Sequence, residues 1–211
     1  MSQSTPSEPS ATLMVDLIIS LDGYASAEGW PGWWGLEGPE YLAWLEEEGK
    51  KDVTLLMGAT TYRVMSSMSD QASSDSSGFS EEEGASLTGL AAMPKIIFSS
   101  TVKEPLAWPN SELIPGDAVE AVRELKRTRT GTLSTLGSLS LCRSLLTAGL
   151  VDRYRLVIFP VITGKTGSER IFDGYPDVAL ELVDSRTFDG RSQLLEYIPR
   201  VIDGPPASRQ P

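Results

Sequence analysis

Histidine is absent from all 211 residues. Ser-His-Asp and Cys-His catalysis are therefore excluded, and a typical zinc site loses a common ligand, so no metal is expected. Cysteine is nearly absent. The single thiol, Cys142, cannot close an internal disulfide, and its Leu-rich surroundings mark it as a small core residue. Positive charge is scarce: 18 Lys and Arg stand against 29 Asp and Glu, a net charge of -11 at pH 7. Nucleic acid and anionic membranes need a positive field, so neither is expected as a partner. An anionic cofactor would need a local basic cluster. Long apolar runs are missing, and none could span a bilayer. The opening MSQSTPSEPSAT has neither the basic start nor the apolar centre of a signal peptide, so a cytoplasmic location is expected.

What remains is enough for one core. Hydrophobic residues make up 40% of the chain, which suits a single domain. It is expected over residues 12–201, between a Ser- and Pro-rich disordered tail at 1–11 and a polar tail at 202–211. The organising stretch is 132–151, TLSTLGSLSLCRSLLTAGLV. Residues 133–136 read as a short strand and Gly137-Ser138 as a tight turn. Leu141, Leu145 and Leu146 fall on one face of a helix that ends at Gly149. Such a turn aims backbone N–H groups out of the positive end of the helix dipole and suits phosphate. The same pattern also serves a strand-turn-helix with no ligand.

Residues 13–20 (LMVDLIIS), 52–57, 95–99, 111–114 and 153–163 read as strands, and 39–51 and 117–127 as amphipathic helices. Gly116 or Asp117 caps the second helix. Gly58 turns the second strand into a further helix, again a place where amides can meet phosphate. Residues 21–40 read as a long loop carrying Trp30, Trp33 and Trp34, which either wall a flat-ring pocket or plug one end of the core. Residues 66–89, dominated by Ser, Gly and acids, read as a mobile insertion with a short helix near Glu81. Two strands at 179–188 and 191–198, joined at Asp189-Gly190, make a closing hairpin. The expected fold is a three-layer α/β/α sandwich, its mixed sheet mainly parallel with a C-terminal antiparallel hairpin.

With these pieces in order, the chain resembles the dihydrofolate-reductase-like proteins. The nearest branch is that of the reductase domain of the bifunctional riboflavin-biosynthesis deaminase/reductase. The matching segments are SLDG at 20–23, LLMGATTY at 55–62, MPKIIFSST at 93–101 and LGSLSLCRSLLTAGLVDRYRL at 136–156. FPVITGKTG at 159–167, IFDG at 171–174 and LVDSRTF at 182–188 complete the series. The resemblance implies NADPH-dependent reduction of a pterin-like, aminopyrimidine or imine substrate, and a homodimer. It places Gly58 and Thr60 on the cofactor, Ser99, Ser100 and Thr101 near its adenosine phosphates, and Gly137, Ser138, Leu139, Ser140 and Leu141 around its pyrophosphate. Two departures stand out. Ala59 occupies a position where the family usually carries Arg, with Arg63, Lys95 or Arg143 as possible substitutes. Leu139 stands where a second glycine is common, and a Cβ there can block close approach. A non-catalytic binding protein on the same fold is the alternative.

Without histidine, a proton must come from a carboxylic acid, Tyr, Lys or water. Asp22 is the catalytic candidate, and it can equally make a turn with Gly23. Glu37, Glu40 and Tyr62 are weaker candidates. Asp16, inside an apolar strand, needs a core partner, touches substrate from the pocket side, or lies on an exposed edge. Trp30, Trp33 and Trp34 are the other substrate-binding candidates.

Overall fold

Fifteen elements follow one another among the described residues of this computed structural model, which are 10–29, 34–72 and 81–204. They are β1 (Thr12–Ser20), β2 (Tyr24–Ala27), α1 (Pro39–Gly49), β3 (Val53–Gly58) and α2 (Ala59–Ala72). Then come α3 (Glu81–Ala92), β4 (Lys95–Phe98), β5 (Ser111–Ile114), α4 (Ala118–Thr128) and β6 (Thr132–Thr135). The last are α5 (Leu139–Thr147), β7 (Arg153–Phe159), β8 (Gly167–Arg170), β9 (Val178–Phe188) and β10 (Ser192–Val201). Eight strands form one sheet in the order β5-β4-β3-β6-β1-β7-β10-β9. The first six are parallel, and β10 and β9 add antiparallel to β7. This is the expected mixed sheet with its C-terminal hairpin.

Burial on both faces explains why the central strands are almost continuously apolar. Along β1, Leu13, Val15, Leu17 and Ile19 pack with Val122 and Leu125 of α4 and Leu141, Leu145 and Leu146 of α5. Full burial of such side chains stabilises by roughly 1.5–3 kcal/mol each. On the opposite face Tyr41 of α1 packs with Phe159 and Phe188. Tyr62 of α2 packs there with Leu55, Met57 and Trp108. Cys142 is buried in the first of these clusters, and burial raises its thiol pKa to about 11, so it is an inert core residue.

Four local features differ from expectation. The segment 66–89 is helical at both ends: α2 runs on to Ala72, and α3 starts at Glu81. The expected mobility of 73–80 lies outside the described residues. Tertiary packing overrides Ser-rich propensity here, since Leu87 and Ser66 are buried. The ammonium of Lys95 donates to the Leu90, Ala91 and Met93 carbonyls at the end of α3 (2.9, 3.0 and 2.6 Å). The loop after β1 contains β2, which pairs with β8 in a small antiparallel ladder. β7 stops at Phe159, where Pro160 has no N–H for the ladder. In the hairpin, Asp189 and Gly190 take φ of 53° and 65°, and Arg191 N–H donates to Phe188 C=O. Pairing resumes one residue later, with Ser192 opposite Phe188. The tails at 1–9 and 205–211 lie outside the described residues.

Candidate active site

Parallel strands deliver their C-terminal ends to one edge, where the connecting loops carry the residues singled out in the sequence. Gly137 and Ser138 both lie in the left-handed region, with φ of 53° and 57°. A Cβ on Gly137 would meet Thr61 at 3.4 Å, in a conformation L side chains rarely adopt, so the position suits glycine. Ser138 accepts the strain because its hydroxyl is used twice. It accepts from the Gly58 N–H (2.9 Å) and donates to Thr61 Oγ1 (2.8 Å). One side chain thus ties the β6–α5 turn to the β3–α2 junction. Its use there leaves α5 with no side-chain cap. The amides of Leu139, Ser140 and Leu141, at the positive end of α5, are left without that cap.

The Leu139 departure is accommodated. Its half-buried side chain packs against the core cluster that holds Leu141. On the neighbouring strand, Ser99 Oγ accepts from the Thr101 and Val102 amides (3.0 Å each). Arg63 Nη2 donates to Thr101 Oγ1 at 3.1 Å. Thr60 and Ser100 are exposed. The predicted set Gly58, Thr60, Ser99–Thr101 and 137–141 therefore stands along one edge. Thr61 escaped the sequence reading. Its signal was the helical turn that begins at Ala59 and brings position 61 back to the strand end.

The other half of the edge corrects three expectations. Asp22 is not a free acid. Its carboxylate accepts from Ser20 Oγ (2.6 Å), Gly164 N–H (2.8 Å) and Thr163 N–H (3.2 Å). Desolvation pushes its pKa up, but these hydrogen bonds outweigh it and hold the group at about 2. Asp22 anchors the 163–164 loop as an ionised carboxylate. Asp16 does not face a pocket either. It grips Arg155, its partner across β1 and β7, through Nη2 (2.6 Å) and Nε (3.1 Å). Arg155 also reaches Glu48 of α1 (2.8 Å) and lies 4.8 Å from the Trp44 ring centroid. Trp34 is buried with Tyr41, Phe159 and Phe188 and plugs the core rather than walling a pocket. Trp30 and Trp33 lie outside the described residues.

The weaker candidates also have structural occupations. Glu37 accepts from Trp34 N–H, Glu40 from Asp189 N–H, and the Tyr62 hydroxyl from Ala107 N–H. Around the Asp22 anchor the surface is apolar: Leu21, Ile162 and Phe172 are largely exposed. A shallow hollow of about 120 Å³ is lined by Ala27, Val161, Ile162, Thr163 and Thr166.

The architecture has close counterparts. A putative riboflavin biosynthesis protein from Shewanella sp. PV-4 superposes with a TM-score of 0.63 at 18% identity, covering 90% of this chain and 99% of that one. Dihydrofolate reductase from Enterococcus faecalis, complexed with NADP(H), superposes with a TM-score of 0.56 at 15% identity, covering 90% and 98%. In sequence, Uncharacterized protein YyaP of Bacillus subtilis (strain 168) is 25% identical over 177 residues, 83% of this chain and 88% of that relative. The family model for the RibD C-terminal domain matches residues 11–194, and the chain belongs to that family.

Proposed function

We propose that this protein is an NADPH-dependent reductase of a small heterocycle: pterin-like, an aminopyrimidine or an imine. The observation that carries the reading is the Ser138 tie, which holds two strand-to-helix junctions side by side and leaves the start of α5 without a side-chain cap. The residues fit a dinucleotide. Glycine stands at 137 in a left-handed conformation beside Thr61, the start of α5 offers amides without a side-chain cap, and the exposed Thr60 and Ser100 offer hydroxyls suited to phosphate. The dihydrofolate reductase neighbour is described with NADP(H), and the family's name points to riboflavin-type chemistry.

When bound, the nucleotide supplies the hydride. The 137–141 segment would hold its pyrophosphate, Ser99 to Thr101 its adenosine side, and Gly58 and Thr60 its flank. Asp22, already ionised, orients the 163–164 loop and has no proton to give at neutral pH, so the proton is drawn from solvent. The acidic net charge fits a small-molecule enzyme of the cytoplasm with no nucleic-acid partner. The exposed Leu180, Leu182 and Val183 of edge strand β9, with Ile198 and Val201 of β10, support a homodimer on the hairpin.

Titration with NADPH and NADH tests the reading, followed by absorbance assays of NADPH oxidation with pterins and aminopyrimidines. Micromolar, NADPH-selective binding with turnover is expected. Binding without turnover on any such substrate selects the second reading, a binding protein on the same fold. That reading is favoured by Ala59 and by the engaged state of Asp22.

A further inference from the structure

The first turn of α2 carries no cation: its residues are Ala59, Thr60, Thr61 and Tyr62. We infer that Arg63 supplies the missing charge and recognises a 2′-phosphate on the adenosine half of the nucleotide, which makes it the residue that separates NADPH from NADH. The inference rests on the nucleotide-binding half of the function proposed above.

Three basic residues compete for this role, and the geometry separates them. Lys95 is 1% exposed, and its three N–H bonds go to the carbonyls that end α3, so it has nothing left for a ligand. Arg143 stands on α5, across the sheet from α2, where its guanidinium lies beside Gly174. Arg63 is exposed and makes no ion pair among the described residues. Its one hydrogen bond to a described residue, Thr101 Oγ1, spends a single donor of the five on a guanidinium.

Position reinforces chemistry. Residues 59 and 63 are four apart on one helix, so they share a face one turn apart. A long helical side chain leans toward the N-terminus and covers the turn before its own Cα. Arg63 therefore reaches back over the space above Ala59, which a longer side chain at 59 would fill. The Thr101 bond shows where it arrives: at the end of β4, beside the Ser99 hydroxyl and the exposed Ser100. A guanidinium beside two or three hydroxyls is a donor set for a phosphate dianion. In a chain of net charge -11, an arginine that makes no ion pair among the described residues also gives an anionic ligand at this edge a local positive field.

The test is calorimetric titration of the wild type, R63Q and R63K with adenosine 2′,5′-bisphosphate and, as control, adenosine 5′-diphosphate. Circular dichroism checks that each variant is folded. The wild type should prefer the 2′-phosphorylated probe. R63Q should lose about 10- to 100-fold in affinity for that probe and less than about twofold for the control. R63K should fall between, since an ammonium keeps charge without the fork. The inference is overturned by a wild type that binds neither probe at millimolar concentration or shows no preference, or by R63Q losing both probes equally or neither. If the 2′-phosphate preference depends on Arg63 but no substrate is reduced, the reductase reading fails and the Arg63 assignment stands.

Discussion

Asp189 and Glu40 cap one another across 149 residues of sequence. The Asp189 carboxylate accepts from the Glu40 and Tyr41 amides at the start of α1 (3.0 and 3.3 Å), and the Glu40 carboxylate accepts from the Asp189 amide (2.6 Å). This is the reciprocal logic of a capping box, with the capping side chain supplied by the β9–β10 turn. The local N-cap residue, Gly38, has no side chain to do the job, and a Cβ on it would run into the Asp189 carboxylate. The hairpin turn and α1 are thereby locked together.

D189A should destabilise the protein by about 1–2 kcal/mol, the value of a lost helix cap. For a chain of this size that is a fall in Tm of roughly 2–8 °C, read by differential scanning calorimetry. G38A should be at least as damaging, because it both expels the carboxylate and crowds the turn. If G38A alone were silent, the close approach would not constrain the fold.

Ser138 gives a sharper comparison between two substitutions at one site. S138A loses both hydroxyl bonds and keeps a Cβ in the left-handed region, so it should cost about 1–3 kcal/mol in urea denaturation. S138G loses the same bonds but relieves the strain, so it should be milder by about 1 kcal/mol. Both should weaken NADPH binding, since either frees the β6–α5 turn from Gly58 and Thr61. A more stable S138A than S138G would mean that the left-handed backbone at 138 costs the protein little.

What could be read in advance follows from sequence distance. The alternating burial of β1, the Asp189-Gly190 turn and the Asp117 cap, which accepts from Val119 and Glu120 amides at 2.8 and 3.2 Å, are written in neighbouring residues. The β2–β8 ladder is not, because YASA and GSER are short, polar and without alternation. The helices within 66–89 depend on burial of Leu87 and on Lys95 reaching back from β4. The site divides the same way. Glycines and hydroxyls at strand ends are local signals, whereas the engagement of Asp22 by residues 163–164 and of Asp16 by Arg155 joins positions about 140 apart, as the 141, 142 and 139 residue separations record. A carboxylate in an apolar stretch announces that a partner exists without saying which.

Asp22 yields a pH prediction with a definite sign. Its folded-state pKa, about 2, lies below the ordinary 3.8, so its stabilisation is complete above the unfolded value and is lost as pH falls from about 4 toward 2. The stability gap between wild type and D22N should therefore be constant at neutral pH and close in that acidic window, as followed by urea denaturation across pH. Catalysis should show no titration of Asp22 between about pH 5 and pH 9. D22N should lower the rate through a displaced 163–164 loop while keeping the shape of the pH–rate profile. Loss of a profile limb near neutral pH in D22N would restore Asp22 as a proton donor.

The Asp16–Arg155–Glu48 cluster separates a structural charge from a substrate-binding one. Arg155 is 9% exposed, and two carboxylates depend on it. Burial of the guanidinium opposes its charge, and the Asp16 and Glu48 carboxylates more than restore it, raising its pKa. Removing Arg155 strands the Asp16 carboxylate beneath α1 and leaves Glu48 with Lys51 alone, so R155M should cost about 3–5 kcal/mol. D16N leaves Arg155 with Glu48 still bound and should cost less, about 1–3 kcal/mol. Replacing both central partners together, as D16L/R155M, should recover much of the loss, because a buried ion pair and a well-packed apolar pair can be similar in stability. Substrate affinity should not follow this order. D16N should keep the wild-type KM once assayed well below its melting temperature. A large rise in KM with unchanged stability would move Asp16 from the frame of the sheet into the binding site.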